Sequence, residues 1–128
     1  MGVLLMDNNT KLMSIVFNLE NPLITREYAS DIVLFQTFST IQSNTAIWTP
    51  GSGKSIFLTA FQVSAPAPLT IQLKRGNNNI FLSIILTATL ATYGESYSSP
   101  VKFNPDEVIS VTTSAAGTVN ISLIGYEF

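Results

Sequence analysis

The chain has 128 residues, six basic and eight acidic side chains, a formal net charge of −2, and neither cysteine nor histidine. That length makes one domain with a real core. The missing residue types exclude disulfides, thiolate metal sites, cysteine nucleophiles, and the commonest general base and zinc ligand.

Apolar residues make up 46% and charged residues 11%, against a usual charged share of about 25%. Charge keeps a monomer soluble, so this deficit predicts a surface partly covered by other chains. Lys74-Arg75 is the only adjacent basic pair. Electrostatic binding of nucleic acid needs clustered Lys and Arg, and none is expected here.

In chain order, Met1-Gly2-Val3-Leu4-Leu5-Met6 is apolar, but Asp7 interrupts it and no basic residue precedes it. It does not read as a signal peptide. Gly2 would suit myristoylation, but Met6 stands where a Ser or Thr is required. Met13-Ser14-Ile15-Val16-Phe17 reads as a strand that Asn21-Pro22 breaks, and 25–29 as a short turn of helix. The apolar run 32–38 suits a strand buried on both faces. A short strand is expected at 45–48. The chain splits softly near Thr45. Residues 1–45 form an N-terminal arm and first strands, belonging to the same domain or reaching a neighbouring subunit. Residues 46–128 form a β-sandwich domain.

Residues 54–64 alternate, with Phe57, Phe61 and Val63 on one face and Ile56, Leu58 and Ala60 on the other. Ala65-Pro66-Ala67-Pro68 stops the ladder, because proline donates no hydrogen bond. Leu69, Ile71 and Leu73 alternate with Thr70, Gln72 and Lys74, the pattern of a strand with one wet face. Gly76-Asn77-Asn78-Asn79 is a loop. In the longest apolar run, 80–91, Ile80, Leu82, Ile84, Leu86, Ala88 and Leu90 share one face. Its Ile and Thr content favours strand. At about 12 residues it is too short to span a bilayer as a helix, so no membrane partner is expected. Tyr93-Gly94-Glu95 reads as a turn, and 97–103 as an edge strand carrying Pro100. Asn104-Pro105-Asp106-Glu107 is another turn. Strands at 107–113 and 118–128 complete the set, the last with Val119, Ile121 and Leu123 inward, and Ile124-Gly125 marking a bulge or the sheet edge. About eight strands at this spacing predict an all-β, antiparallel β-sandwich. A jelly roll is the first choice. An immunoglobulin-type sandwich, whose Cys-Trp-Cys signature is missing, is the second.

Several groups invite a chemical reading. Trp48-Thr49-Pro50-Gly51-Ser52-Gly53-Lys54-Ser55 nearly spells a phosphate-binding loop, but Trp48 replaces the motif's first glycine and a strand follows instead of a helix. Ser52, Lys54 and Ser55 imitate a Ser-Lys dyad without a third group to orient the lysine, so a polar turn is expected. Asp106 and Glu107 are neighbouring carboxylates that point to opposite faces of an extended chain, so they make no glycosidase pair unaided. Glu95 would have to join them in space. Asn104, Asp106 and Glu107 offer oxygens to calcium, but their spacing matches no calcium loop. Most Phe side chains are expected in the core. Trp48, Tyr93, Tyr97, Tyr126 and Phe128 lie at strand ends, as a contact patch or as ordinary packing. No catalytic, cofactor-binding or metal-binding residue is assigned, and no cofactor is expected.

From Ile47 to Phe128 the layout resembles small phage and prophage virion proteins. The resemblance rests on Trp48-Thr49-Pro50, Gly53-Lys54, the apolar strand 56–63, the polar strand 69–73, Pro100, Pro105-Asp106-Glu107 and Gly125-Tyr126. It implies a non-enzymatic virion component of jelly-roll type, either a capsid decoration (cement) protein or a head- or tail-fibre module. Such proteins are often trimers that bind capsid or neighbouring subunits. With it goes the expectation that residues 1–17 reach another subunit and bury Leu4, Leu5, Ile15 and Phe17 by strand addition. The alternatives are a carbohydrate- or receptor-binding β-sandwich, and a hydrolase that unites Glu95 with Asp106.

Overall fold

The computed structural model describes residues 29–128. Among them are eight strands and no helix: β1 (Ile32–Phe38), β2 (Thr45–Trp48), β3 (Ile56–Ser64), β4 (Leu69–Arg75), β5 (Asn79–Leu86), β6 (Thr92–Lys102), β7 (Ile109–Thr113) and β8 (Val119–Glu127). They form two four-stranded sheets, A in the order β1-β8-β3-β6 and B in the order β2-β7-β4-β5. All pairings are antiparallel. β4 pairs with β5, β3 with β6, β2 with β7 and β1 with β8. One long hairpin, closed at the β4–β5 turn and rolled up, gives this nesting. It is the jelly-roll arrangement of an antiparallel sandwich, as the strand pattern predicts. The expected strand at 13–17, the helical turn beginning at Thr25 and the arm 1–17 lie outside the described residues.

The core fills the space between the sheets. Leu69, Ile71 and Leu73 of β4 meet Val119, Ile121 and Leu123 of β8, with Ile109 and Val111 of β7 and Ile84 and Leu86 of β5. Fully burying one such side chain contributes about 1.5–3 kcal/mol. The wet faces of β4 and β8 are those the alternation predicts, with Thr70, Gln72, Asn120 and Ser122 pointing away from the core.

β3 departs from strict alternation. Ile56 and Leu58 are buried, and so are Phe61 and Val63, two positions of opposite phase. The register slips between Leu58 and Ala60 against both neighbours, so Thr59 is an extra residue. A bulge of this kind moves the following side chains to the other face. Phe57 therefore faces outward and stacks on Tyr126 of β8, with ring centroids 4.9 Å apart and planes 5° apart. Gly125 stands opposite Leu58 at the slip, and a Cβ there would collide with the Phe57 carbonyl oxygen. The bulge foreseen at Ile124-Gly125 is present, with its extra residue on the facing strand. β8 itself lies inside the sheet.

Further expectations are corrected. β1 is not buried on both faces. It ends sheet A, and Val33 and Phe35 are 67% and 64% exposed on its outer side. Tyr93-Gly94-Glu95 is strand, not turn. Gly94 pairs with Gln62, and a Cβ there would lie 2.7 Å from the Phe61 carbonyl oxygen, so the glycine permits close backbone approach. The 80–91 run accordingly ends as strand at Leu86. The chain turns at 87–90, where the Thr87 N–H donates to the Leu90 carbonyl and the Leu90 N–H to the Thr87 hydroxyl. Ile80 faces solvent, because the β4–β5 register slips next to it and turns Phe81 toward the core, edge-on to Phe103. Among the described Phe residues only Phe61 and Phe103 are buried, since Phe35 and Phe57 fall on outer faces. Pro100 does lie on an edge strand, β6.

Candidate functional site

The near phosphate loop is a turn closed by the chain's own carboxylates. The Lys54 N–H donates to the Gly51 carbonyl at 2.9 Å, and Gly53 takes φ of +77°. A left-handed φ costs a glycine little. The Gly53 N–H donates to Asp106 Oδ1 at 2.7 Å, and the Asp106 N–H to the Lys54 carbonyl at 2.9 Å. Glu127 accepts from the Gly51 N–H at 3.0 Å and from the Trp48 indole at 2.8 Å. The amides that would cradle a phosphate in a true P-loop are thus taken up internally. Trp48, for which the sequence leaves open a contact patch or ordinary strand-end packing, is packed inside at 3% exposure, because its indole N–H has this partner within reach.

The other candidate groups are separated. Glu107 accepts from Arg75 at 3.0 Å and from the Asn104 N–H at 2.8 Å, and Arg75 lies over the Phe103 ring at 4.7 Å. Asp106 and Glu107 therefore serve different partners, and a calcium ion at Asn104, Asp106 and Glu107 would have to displace Arg75. Among the described residues no three His, Cys, Asp or Glu side chains gather in a cluster fit for a metal. Ser55 is buried at the β3 entry with its backbone paired to Phe128, while Ser52 and Lys54 are exposed. Glu95 lies opposite Phe61, whereas Asp106 is tied to Lys54. Those levels are roughly 20 Å apart along the strand, so the two carboxylates are not brought together.

Nor do the aromatics form one patch. Tyr93 and Tyr97 tilt against Phe61 at 6.1 and 6.2 Å, and Tyr126 stacks on Phe57. Tyr93 donates to Glu95 Oε2 at 2.7 Å, and this bond with the Glu95 charge raises the phenol's pKa above its ordinary 10.0. Burial raises Tyr97 likewise, with the Glu95 charge adding to it.

Two features were not foreseen from the sequence. The first is a groove of about 570 Å³ on the outer face of sheet A, lined by Val33, Ala60, Gln62, Gly94, Ser122 and Ile124 among others. Register explains it. Val33, Ile124 and Ala60 stand in one row, the outward side of three adjacent strands, and Gly94 leaves a gap beside Gln62. The second is the contrast among the four strands that end the sheets. β2 is short and slips in register, and β6 carries Pro100, Glu95 and Lys102, with 97–100 bulged out opposite Thr59. These devices discourage pairing with another chain. β1 and β5 carry no charge and no proline. β1 pairs with β8 through seven unbroken steps, and β5 exposes Ile80 at 50% and Ile85 at 65%.

No protein-family model and no curated protein matches the chain. Among solved structures it is similar to the cryo-EM structure of the virus-like particle of extra small virus, from the giant freshwater prawn Macrobrachium rosenbergii, with 14% identity, 84% of this chain and 86% of that chain covered, and a TM-score of 0.34.

Proposed function

We propose that the protein is a non-enzymatic structural component of a virion, a capsid decoration protein or a head- or tail-fibre module, acting through subunit contacts in a homo-oligomer, with a trimer favoured. The observation that carries this reading is the pair of bare outer strands. A regular or apolar sheet edge without charge or proline is an invitation to pair with another chain, and folded proteins normally blunt it. Here β6 is blunted by charge and proline and β2 by its shortness, while β1 is regular and β5, despite one register slip at Lys74, exposes Ile80 and Ile85. The jelly roll suits the role, since capsid domains use it, although a fold alone does not fix a function. The resemblance carried by Trp48-Thr49-Pro50 and Gly125-Tyr126 supports the virion assignment.

The test is the mass of the full-length protein in solution, and its co-purification with particles. A Phe35→Lys/Ile85→Lys variant places a cation on each bare strand and should fall to the monomer. A wild-type protein that is monomeric and binds no particle would overturn the reading. A glycan-binding module is the runner-up, favoured by Tyr93 and Glu95 beside the groove. Loss of glycan-array binding in Tyr97→Ala would move the assignment there, while buried Trp48 offers no stacking platform.

A further inference from the structure

We infer that β1 of one subunit pairs with β5 of the next, a head-to-tail contact between unlike edges. The placement of the open edges carries this. β1 and β6 end sheet A, and β2 and β5 end sheet B. β5 and β6 touch, and Phe81 of β5 meets Phe103, just beyond β6, edge-on. β5 and β6 therefore border one side of the sandwich, which leaves β1 and β2 on the other. The short link 39–44 between β1 and β2 agrees with that. Each side thus has one open strand and one blunted strand. β2 is short, and β6 carries Glu95, Pro100 and Lys102, so each side can extend one ladder only. That ladder belongs to sheet A on one side and to sheet B on the other.

An isologous contact, β1 against β1 or β5 against β5, uses one open strand and leaves the other exposed. Covering both in that way takes two different contacts. One contact of β1 with β5 covers both strands in every subunit, and a ring such as a trimer is built from contacts of this kind. The strands match in length, seven residues against eight, and no charge on either opposes the approach. A strand laid along β1 flanks the exposed Val33 and Phe35 on their open side. One laid along β5 flanks Ile80 and Ile85 likewise, so apolar surface leaves water at both.

The inference rests on the assembly reading above and names the partner of each edge. Phe35→Lys caps β1 and Ile85→Lys caps β5, both at exposed positions. In a head-to-tail assembly every contact uses both strands, so each variant alone should sediment as a monomer. An equimolar mixture of the two should give a dimer of one copy of each, at twice the monomer's mass. The free β1 of one copy meets the free β5 of the other, and lysine at both outer ends stops further growth. A single variant that is dimeric by itself would overturn the inference, because like edges would then be joined. So would a mixture that stays monomeric well above the concentration at which the wild type assembles. Val33→Lys and Ser83→Lys repeat the test if a lysine at 35 or 85 unfolds the subunit. A monomeric wild type is a separate result, which removes the assembly reading and this inference with it.

Discussion

At the turn end of the molecule, Asp106 receives Gly53, Glu107 receives Arg75 and Asn104, and Glu127 receives Trp48 and Gly51. Along β1 and β5 no charged side chain stands at all. Among the described residues, β6 is the edge strand that carries charge, while β1, β2 and β5 carry none. The turn end is chemically closed, because its donors and carboxylates satisfy one another. Among the described residues, β1 and β5 are each paired on one side only and expose apolar side chains, which is what association requires. Asp106, Glu107 and Glu127, which first suggest chemistry, are each engaged in hydrogen bonds that hold the turn end.

The comparison breaks most severely if the sheet carrying the bare edge is disturbed. Gly125→Ala sets a Cβ against the Phe57 carbonyl oxygen where backbone, not a flexible side chain, must yield. A loss of about 3 kcal/mol in denaturant unfolding is expected, and an unchanged midpoint would refute the bulge argument. Glu127→Ala opens the turn end. It strands the Trp48 indole N–H and the Gly51 N–H and should cost about 2 kcal/mol, whereas Glu127→Gln keeps an acceptor and should cost less. Phe35→Lys, at the bare edge, should leave the subunit's own stability within about 0.5 kcal/mol, because the side chain is 64% exposed. Its effect belongs to the assembled mass. Loss of fold stability in that variant would mean that β1 is not an open edge.

The smallest expected effect is a dependence on alkaline pH. The folded Tyr93 and Tyr97 phenols titrate above their ordinary 10.0. The folded protein therefore keeps protons that the unfolded chain has lost. Stability is complete below about pH 10 and declines as pH rises through the folded values. Tyr93→Phe should shallow that decline and, at neutral pH, lose the small stabilisation that the bond to Glu95 supplies. Spectrophotometric titration of the phenols checks the direction.

Periodicity made most of the fold legible. The strict alternation of Leu69, Ile71 and Leu73, and of Val119, Ile121 and Leu123, gave strands, faces and an inner surface for each sheet. It failed where one residue changed the phase. Thr59 is unremarkable in sequence, and only the facing Gly125 hinted at a slip. Glycine also has two meanings that local sequence does not separate. Gly53 serves a turn, while Gly94 serves close strand packing, and so Tyr93-Gly94-Glu95 reads as a turn although it is strand. The apolar run of β1 looked buried on both faces because composition does not reveal whether a strand ends its sheet. Carboxylate roles were equally hidden, since Glu127 meets Trp48 from 79 positions away.

The most direct test of assembly through the bare strands is the solution mass of the full-length wild-type chain, measured beside Phe35→Lys/Ile85→Lys at equal micromolar concentration by sedimentation. The account predicts a homo-oligomer for the wild type, a trimer being favoured, and a folded monomer for the variant. A wild type that stays monomeric, or a variant that keeps the oligomer's mass, would contradict it.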